Sequence, residues 1–152
     1  MRIALYQPDI AGNTGTIIRL AACFGVAVDI IEPCGFPFSD KQLKRSAMDY
    51  AQAVQIERRP NFQAFAEAMR ENGQRIVLLT SKGDVRLPEA EFMADDVLLL
   101  GSEGAGVPDA IHQSAGLRVR IPMRAGLRSL NIAVAAGIAL GEALRQKGLY
   151  PP

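Results

Sequence analysis

The stretch "LLLGSEGAGV", residues 98–107, sets three glycines, Gly101, Gly104 and Gly106, around one carboxylate, Glu103. Glycines this dense after an apolar run let backbone approach a planar or phosphorylated ligand closely. Glu103 would then face the same cleft. A tight strand-to-helix connection is the plainer alternative. The order G-x-x-G-x-G reverses the dinucleotide fingerprint, and no Gly-Lys-Ser/Thr follows, so the loop is not a P-loop.

Two further segments carry polar groups suited to a site. In "NTGTIIRLAACFG", Asn13 and Gly15 fall at a strand-to-helix turn, with Arg19 one turn into the helix. The alternatives there are a helix cap, a turn glycine and a solvated arginine. In "RIPMRAGLRSLN", a strand ends at Pro122 and a loop leads to Ser129 and Asn131. Ser129 could merely cap the last helix. His112, the one histidine, sits in a short helix with no evident partner. Such a residue is most often surface, and a base role is the lesser reading. Lys41, Lys44 and Arg45 share one helix face at i, i+3 and i+4 spacing. With Arg58, Arg59, Arg118, Arg120, Arg124 and Arg128 they are either solvated or a phosphate-contacting patch.

These groups need elements to hold them. Six segments read as strands: "RIALYQP", "VAVDIIEP", "AVQIER", "RIVLLTSKG", "DVLLLGSEG" and "LRVRIPM". Helical periodicity lies between them, in "AGNTGTIIRLAACFG", in "SDKQLKRSAMDY" and in "NFQAFAEAMRENG", which Asn61 caps and Gly73 ends. A short helix with proline at its start follows in "PDAIHQSAG", and a long one runs from about Leu130 to Lys147. Strands alternating with helices predict an α/β domain with a mostly parallel sheet of about six strands and helices on both faces. The loops "TSKG", "GSEGAG" and "MRAGLRSLN" then leave one sheet edge side by side and can form one pocket. The last helix is apolar or small on nearly every side until Glu142. That predicts a second buried face, met by another copy of the chain or, as the plainer alternative, by a central place in a monomer.

Composition sets outer limits. The chain has 152 residues, 49% hydrophobic and 22% charged, with a net charge of +1. One globular domain over residues 1–152 is expected, and a basic surface must be local. No apolar run reaches the roughly 18 residues of a membrane span. The start, "MRIALYQPDI", reads as a strand and not a signal peptide. Two separated cysteines, Cys23 and Cys34, predict a reducing cytoplasm without a disulfide framework, and one histidine argues against a histidine-based metal site.

Taken in order, "NTGTIIR", "LLLGSEGAGV" and "IPMRAGLRSLNIAVAAGIALGEA" resemble the SPOUT class of S-adenosylmethionine-dependent RNA methyltransferases. The resemblance covers essentially the whole chain. "IIEPCGFPFSDKQLKRSAMDY" is similar to the subfamily that methylates the ribose 2′-hydroxyl of the tRNA wobble nucleotide, cytidine or uridine. "RSAMDY" departs slightly from the "RAGLDY" of that pattern, on the expected RNA surface.

The resemblance implies a deep trefoil knot in the C-terminal part and a homodimer built on the last helix. It implies S-adenosylmethionine in a pocket formed by Leu79, Gly101, Gly106, Ile121, Ser129 and Leu130. Asn13, Arg19, Glu103, Ser129 and Asn131 match the family's functional polar positions, and no metal is implied. Arg19 is often described as the base in such enzymes. A guanidinium is protonated up to pH of about 12, so clamping the target phosphate and polarising the hydroxyl is the better role. Glu103 would orient Arg19 or Asn13. No separate RNA-binding extension is evident. Recognition of tRNA would fall on the catalytic domain, with Lys41, Lys44, Arg45, Arg124 and Arg128 as the basic patch.

Three rivals stand beside this reading. A dinucleotide enzyme would carry G-x-G-x-x-G after its first strand and an acid closing the second; only Glu32 before Pro33 comes near. Another 2′-O-ribose RNA methyltransferase of the same class would share every motif. A non-catalytic RNA-binding domain would have no need of Arg19, Glu103, Ser129 and Asn131.

Overall fold

The computed structural model describes residues 1–37 and 48–152. Seven strands form one parallel sheet in the order β3-β2-β1-β6-β4-β7-β5. They are β1 (Arg2–Tyr6), β2 (Ala27–Ile31), β3 (Ile56–Arg59), β4 (Ile76–Leu79), β5 (Val85–Arg86), β6 (Val97–Leu100) and β7 (Leu117–Arg120). The helices are α1 (Ala11–Phe24), α2 (Phe62–Glu71), α3 (Asp109–Ser114) and α4 (Ile132–Lys147).

The sheet is covered on both faces, which is why its central strands are apolar without alternation. Ile3, Leu5, Leu98 and Leu100 point to one side and form a core with Ile17 and Ile18 of α1 and Leu140 and Leu144 of α4. Ala4, Leu78 and Leu99 point to the other, against Phe65 and Met69 of α2 and Ile111 of α3. The register aligns Leu5 with Leu100, Leu100 with Leu79, and Leu79 with Val119. The loops after β1, β4, β6 and β7 therefore emerge together at one edge.

Two expectations need correction, and two capping alternatives fall away. The sheet has seven strands and not six; β5 is two residues long, too short to carry a period, and exists through its pairing with β7. β3 begins at Ile56, inside "AVQIER", and runs to Arg59, whose guanidinium lies 2.8 Å from Asp29. Asp29 is fully buried and also meets Arg2 at 2.7 Å, so its charge is compensated twice. α1 begins at Ala11, so Ile10 and not Asn13 stands at its N-cap. α4 begins at Ile132, and its cap is Asn131 and not Ser129.

The polar helix expected in "SDKQLKRSAMDY" lies mostly outside the described residues, as do Lys41, Lys44 and Arg45. Met48–Gln52 forms a turn of 3₁₀ helix. No helix among the described residues is long and apolar enough to cross a membrane.

Candidate active site

The strand-edge loops enclose a cavity of about 620 Å³. Its floor is apolar, formed by the strand residues Leu78, Leu100 and Val119. One wall is the turn Thr80–Lys82, a second the glycine loop, and a third Ile121, Met123 and Ser129–Ile132. All six residues expected at a cofactor pocket line it: Leu79, Gly101, Gly106, Ile121, Ser129 and Leu130.

The reversed glycine order has a local cause. Ser102 and Gly106 exchange backbone hydrogen bonds of 3.0 and 2.9 Å, closing the loop on itself. A Cβ on Gly101 would sit 2.5 Å from the Gly106 carbonyl carbon, a distance no side chain tolerates. Gly106 has φ +69°, in the left-handed region where glycine alone is unstrained. The turn after β4 is equally close, since a Cβ on Gly83 would fall 2.5 Å from the Val119 backbone. Backbone is thus packed on backbone at the glycine loop and at the turn after β4, and no side chain fits at Gly101.

A polar chain crosses the cavity lip. Asn131 Nδ2 donates to Asn13 Oδ1 at 3.0 Å, and Asn13 Nδ2 donates to Glu103 Oε1 at 3.1 Å. Glu103 Oε2 accepts the Asp9 backbone N–H at 2.7 Å. Because Asn13 lies inside the first turn of α1 and does not cap it, both ends of its carboxamide are available to this chain. Of the groups named from the sequence, Asn13, Glu103 and Asn131 are thereby brought together, and Glu103 orients Asn13. Ser129 lines the cavity beside them. Asp9 was not foreseen; its position after Pro8, at the end of β1 on the same edge, was the available signal.

Arg19 lies elsewhere. It is exposed, about two turns along α1, with its guanidinium 4.9 Å from the centre of the Tyr50 ring, and it does not line the cavity. Arg124 and Arg128 are exposed on the segment between Ile121 and Ser129, outside the lining. His112 corrects its surface reading. It is half-buried and lines the cavity, and its Nε2 is buried with no hydrogen-bond partner. A buried polar atom left unpaired costs about 1–3 kcal/mol. Among the described residues, no group of three or more His, Cys, Asp or Glu side chains is placed to hold a metal ion.

Comparison with known proteins agrees with this architecture. The SpoU rRNA Methylase family profile matches residues 1–141. A tRNA (cytidine(34)-2′-O)-methyltransferase of Beijerinckia indica is 53% identical over 146 residues, covering 96% of this chain and 91% of the relative. A solved structure described as giving structural insights into the 2-OH methylation of C/U34 on tRNA superposes with a TM-score of 0.91 at 39% identity, covering 97% of this chain and 95% of the other. An AdoMet-bound rRNA methyltransferase from Sinorhizobium meliloti superposes with a TM-score of 0.85 at 34% identity, covering 95% of this chain but 55% of that one. With a family match over nearly its whole length, the chain belongs to the SpoU rRNA methylase family.

Proposed function

We propose that this chain methylates tRNA, transferring the methyl of S-adenosylmethionine to the ribose 2′-hydroxyl of the wobble nucleotide, cytidine or uridine 34. Near-full-length relatives carry that name, and an S-adenosylmethionine-bound structure shares the fold. The observation that carries the reading is the Asn131–Asn13–Glu103 chain standing on the lip of a backbone-walled cavity.

The residues present fit the cofactor. The volume falls within the roughly 300–1,000 Å³ of small-molecule sites. Gly101 and Gly106 present bare backbone at one wall, a cradle that a Cβ on Gly101 would close. Leu79, Gly101, Gly106, Ile121, Ser129 and Leu130 would hold it. Bound there, S-adenosylmethionine supplies an electrophilic sulfonium methyl, for which an in-line oxygen nucleophile suffices.

The chain's own task is positioning, which can supply much of the rate. Glu103, fixed by Asn13 and Asp9, offers acceptors to the acceptor ribose. Asn13 and Asn131 set the direction of that carboxylate, with Ser129 at the cavity side. Arg19, outside the cavity and permanently charged, clamps the target phosphate, and the hydroxyl proton is released to solvent at the cavity lip. Arg124 and Arg128, beside the third wall, contact tRNA phosphates; Lys41, Lys44 and Arg45, outside the described residues, are proposed for the same task from their charge.

The working unit in this reading is a cytoplasmic homodimer of one-domain chains. Val134 and Ile138, one turn apart on α4, are 49% and 41% exposed, and Leu127 on the preceding loop is 66% exposed. Such an apolar strip suits a second copy. The C-terminal part is threaded as a deep trefoil knot, as the family likeness implies. Calorimetry with S-adenosylmethionine and with NAD tests the cofactor: the first should bind and the second should not.

A further inference from the structure

Asp9 enters the roles above only through its backbone N–H, which holds Glu103; its side chain has no part in them. Its carboxylate does not line the cavity. It nevertheless makes a reciprocal clasp with the glycine loop. Its Oδ2 accepts the Gly104 amide N–H at 3.0 Å, while its own backbone N–H donates to Glu103 Oε2 at 2.7 Å. The loop's base is closed independently by the Ser102–Gly106 pair. Its tip, Glu103–Gly104, is what Asp9 holds.

Asp9 is itself seated from behind. The Gly35 amide donates to the Pro8 carbonyl at 2.9 Å. A Cβ on Gly35 would come within 2.9 Å of Asp9 Cα and 3.2 Å of its Oδ1. Gly35 backbone therefore packs close behind Asp9, on the side where any side chain would clash, and the Asp9 carboxylate turns to Gly104. Asp9 is also an exposed residue with modest burial to lose. A purely structural role would show chiefly as stability.

We infer that Asp9 is a positioning residue for methyl transfer: by pinning the Gly104 amide it aims the Glu103 carboxylate at Asn13 and the acceptor. This rests on the methyl-transfer reading. It differs from the roles of Asn13 and Glu103 in that Asp9 touches neither substrate nor cofactor.

The test compares wild type with Asp9→Ala, Asp9→Asn, Glu103→Gln and the double variant Asp9→Ala/Glu103→Gln. Turnover on unmodified tRNA, S-adenosylmethionine Kd by calorimetry and Tm are measured for each. Asp9→Ala should lower kcat about tenfold with Kd changed by less than about twofold. Asp9→Asn, which keeps an oxygen for the Gly104 amide, should recover most of the rate. The double variant should be no slower than Glu103→Gln alone, because Asp9 acts through Glu103. Wild-type turnover in Asp9→Ala, a loss confined to cofactor affinity or Tm, or single losses that multiply in the double variant would each overturn the inference. A wild-type chain that binds S-adenosylmethionine yet methylates no RNA would refute the underlying reading, and this inference with it.

Discussion

Asn131 uses both ends of one carboxamide: Oδ1 accepts the Ala133 amide at 2.8 Å, capping α4, and Nδ2 donates to Asn13 at 3.0 Å. The start of the last helix and the lip of the cavity are therefore the same residue. The two duties can be separated. Asn131→Ala should lose both, lowering stability by about 1 kcal/mol and Tm by roughly 2–4 °C. Asn131→Asp keeps the capping oxygen but sets an acceptor against Asn13 Oδ1. It should melt near wild type while turnover falls at least about tenfold. Thermal melts paired with methyl-transfer rates check the split; parallel losses in both variants would contradict it.

Gly101 should tolerate no side chain. The added methyl of Gly101→Ala would lie 2.5 Å from the Gly106 carbonyl carbon and force the Ser102–Gly106 pair apart. Overpacking of this kind costs about 1–3 kcal/mol. The variant should melt several degrees lower and lose S-adenosylmethionine binding in calorimetry. Full affinity in a folded Gly101→Ala would mean that the loop is not a cavity wall.

The two cysteines should differ in reactivity. Burial, and then the Glu32 carboxylate, push the Cys34 thiol up to about 11, against a smaller opposing pull from Arg58. Cys23 is exposed. At pH 8 Cys34 should be almost wholly protonated, and the thiolate is the reactive form. Iodoacetamide should label Cys23 first, and Cys34 labelling should rise only as pH approaches about 11. Peptide mass spectrometry against pH reads this directly; equal labelling at pH 8 would contradict it.

Charge on the exposed strip of α4 should break the proposed dimer. Val134→Asp/Ile138→Asp removes apolar surface that the folded chain leaves uncovered. Light scattering should show a dimer for wild type and a monomer for the variant. An unchanged dimer would place the interface elsewhere.

Long-period features were legible in the sequence because local physics decides them. The stripe of α2 and its Asn61 cap, whose side chain accepts the Ala64 amide at 2.9 Å, appear where periodicity and capping place them. So does the run "VLLL" of β6, buried on every residue. What escaped depends on distant partners. β5 exists because Val85 meets Val119. Asn13 reads locally as a cap, yet its partners are Glu103 and Asn131, 90 and 118 residues away. Asp9 has no local signature beyond its place at a strand end, since its clasp spans 94 and 95 residues. His112 looks like a surface residue of a short helix until α3 is laid against the cavity. The glycine loop was legible as a ligand loop, but the reason for its order, Gly106 backbone lying against Gly101, is a property of the folded turn.

The central claim is that this cavity and its polar lip methylate a ribose hydroxyl of the tRNA wobble nucleotide. The most direct measurement is transfer of labelled methyl from S-adenosylmethionine to tRNA lacking this modification, with the product digested and the modified nucleotide mapped. The account predicts a single 2′-O-methyl group at cytidine or uridine 34, formed at least about tenfold more slowly in Glu103→Gln. Methylation of a base, of another position only, or transfer that survives unchanged in Glu103→Gln would contradict it.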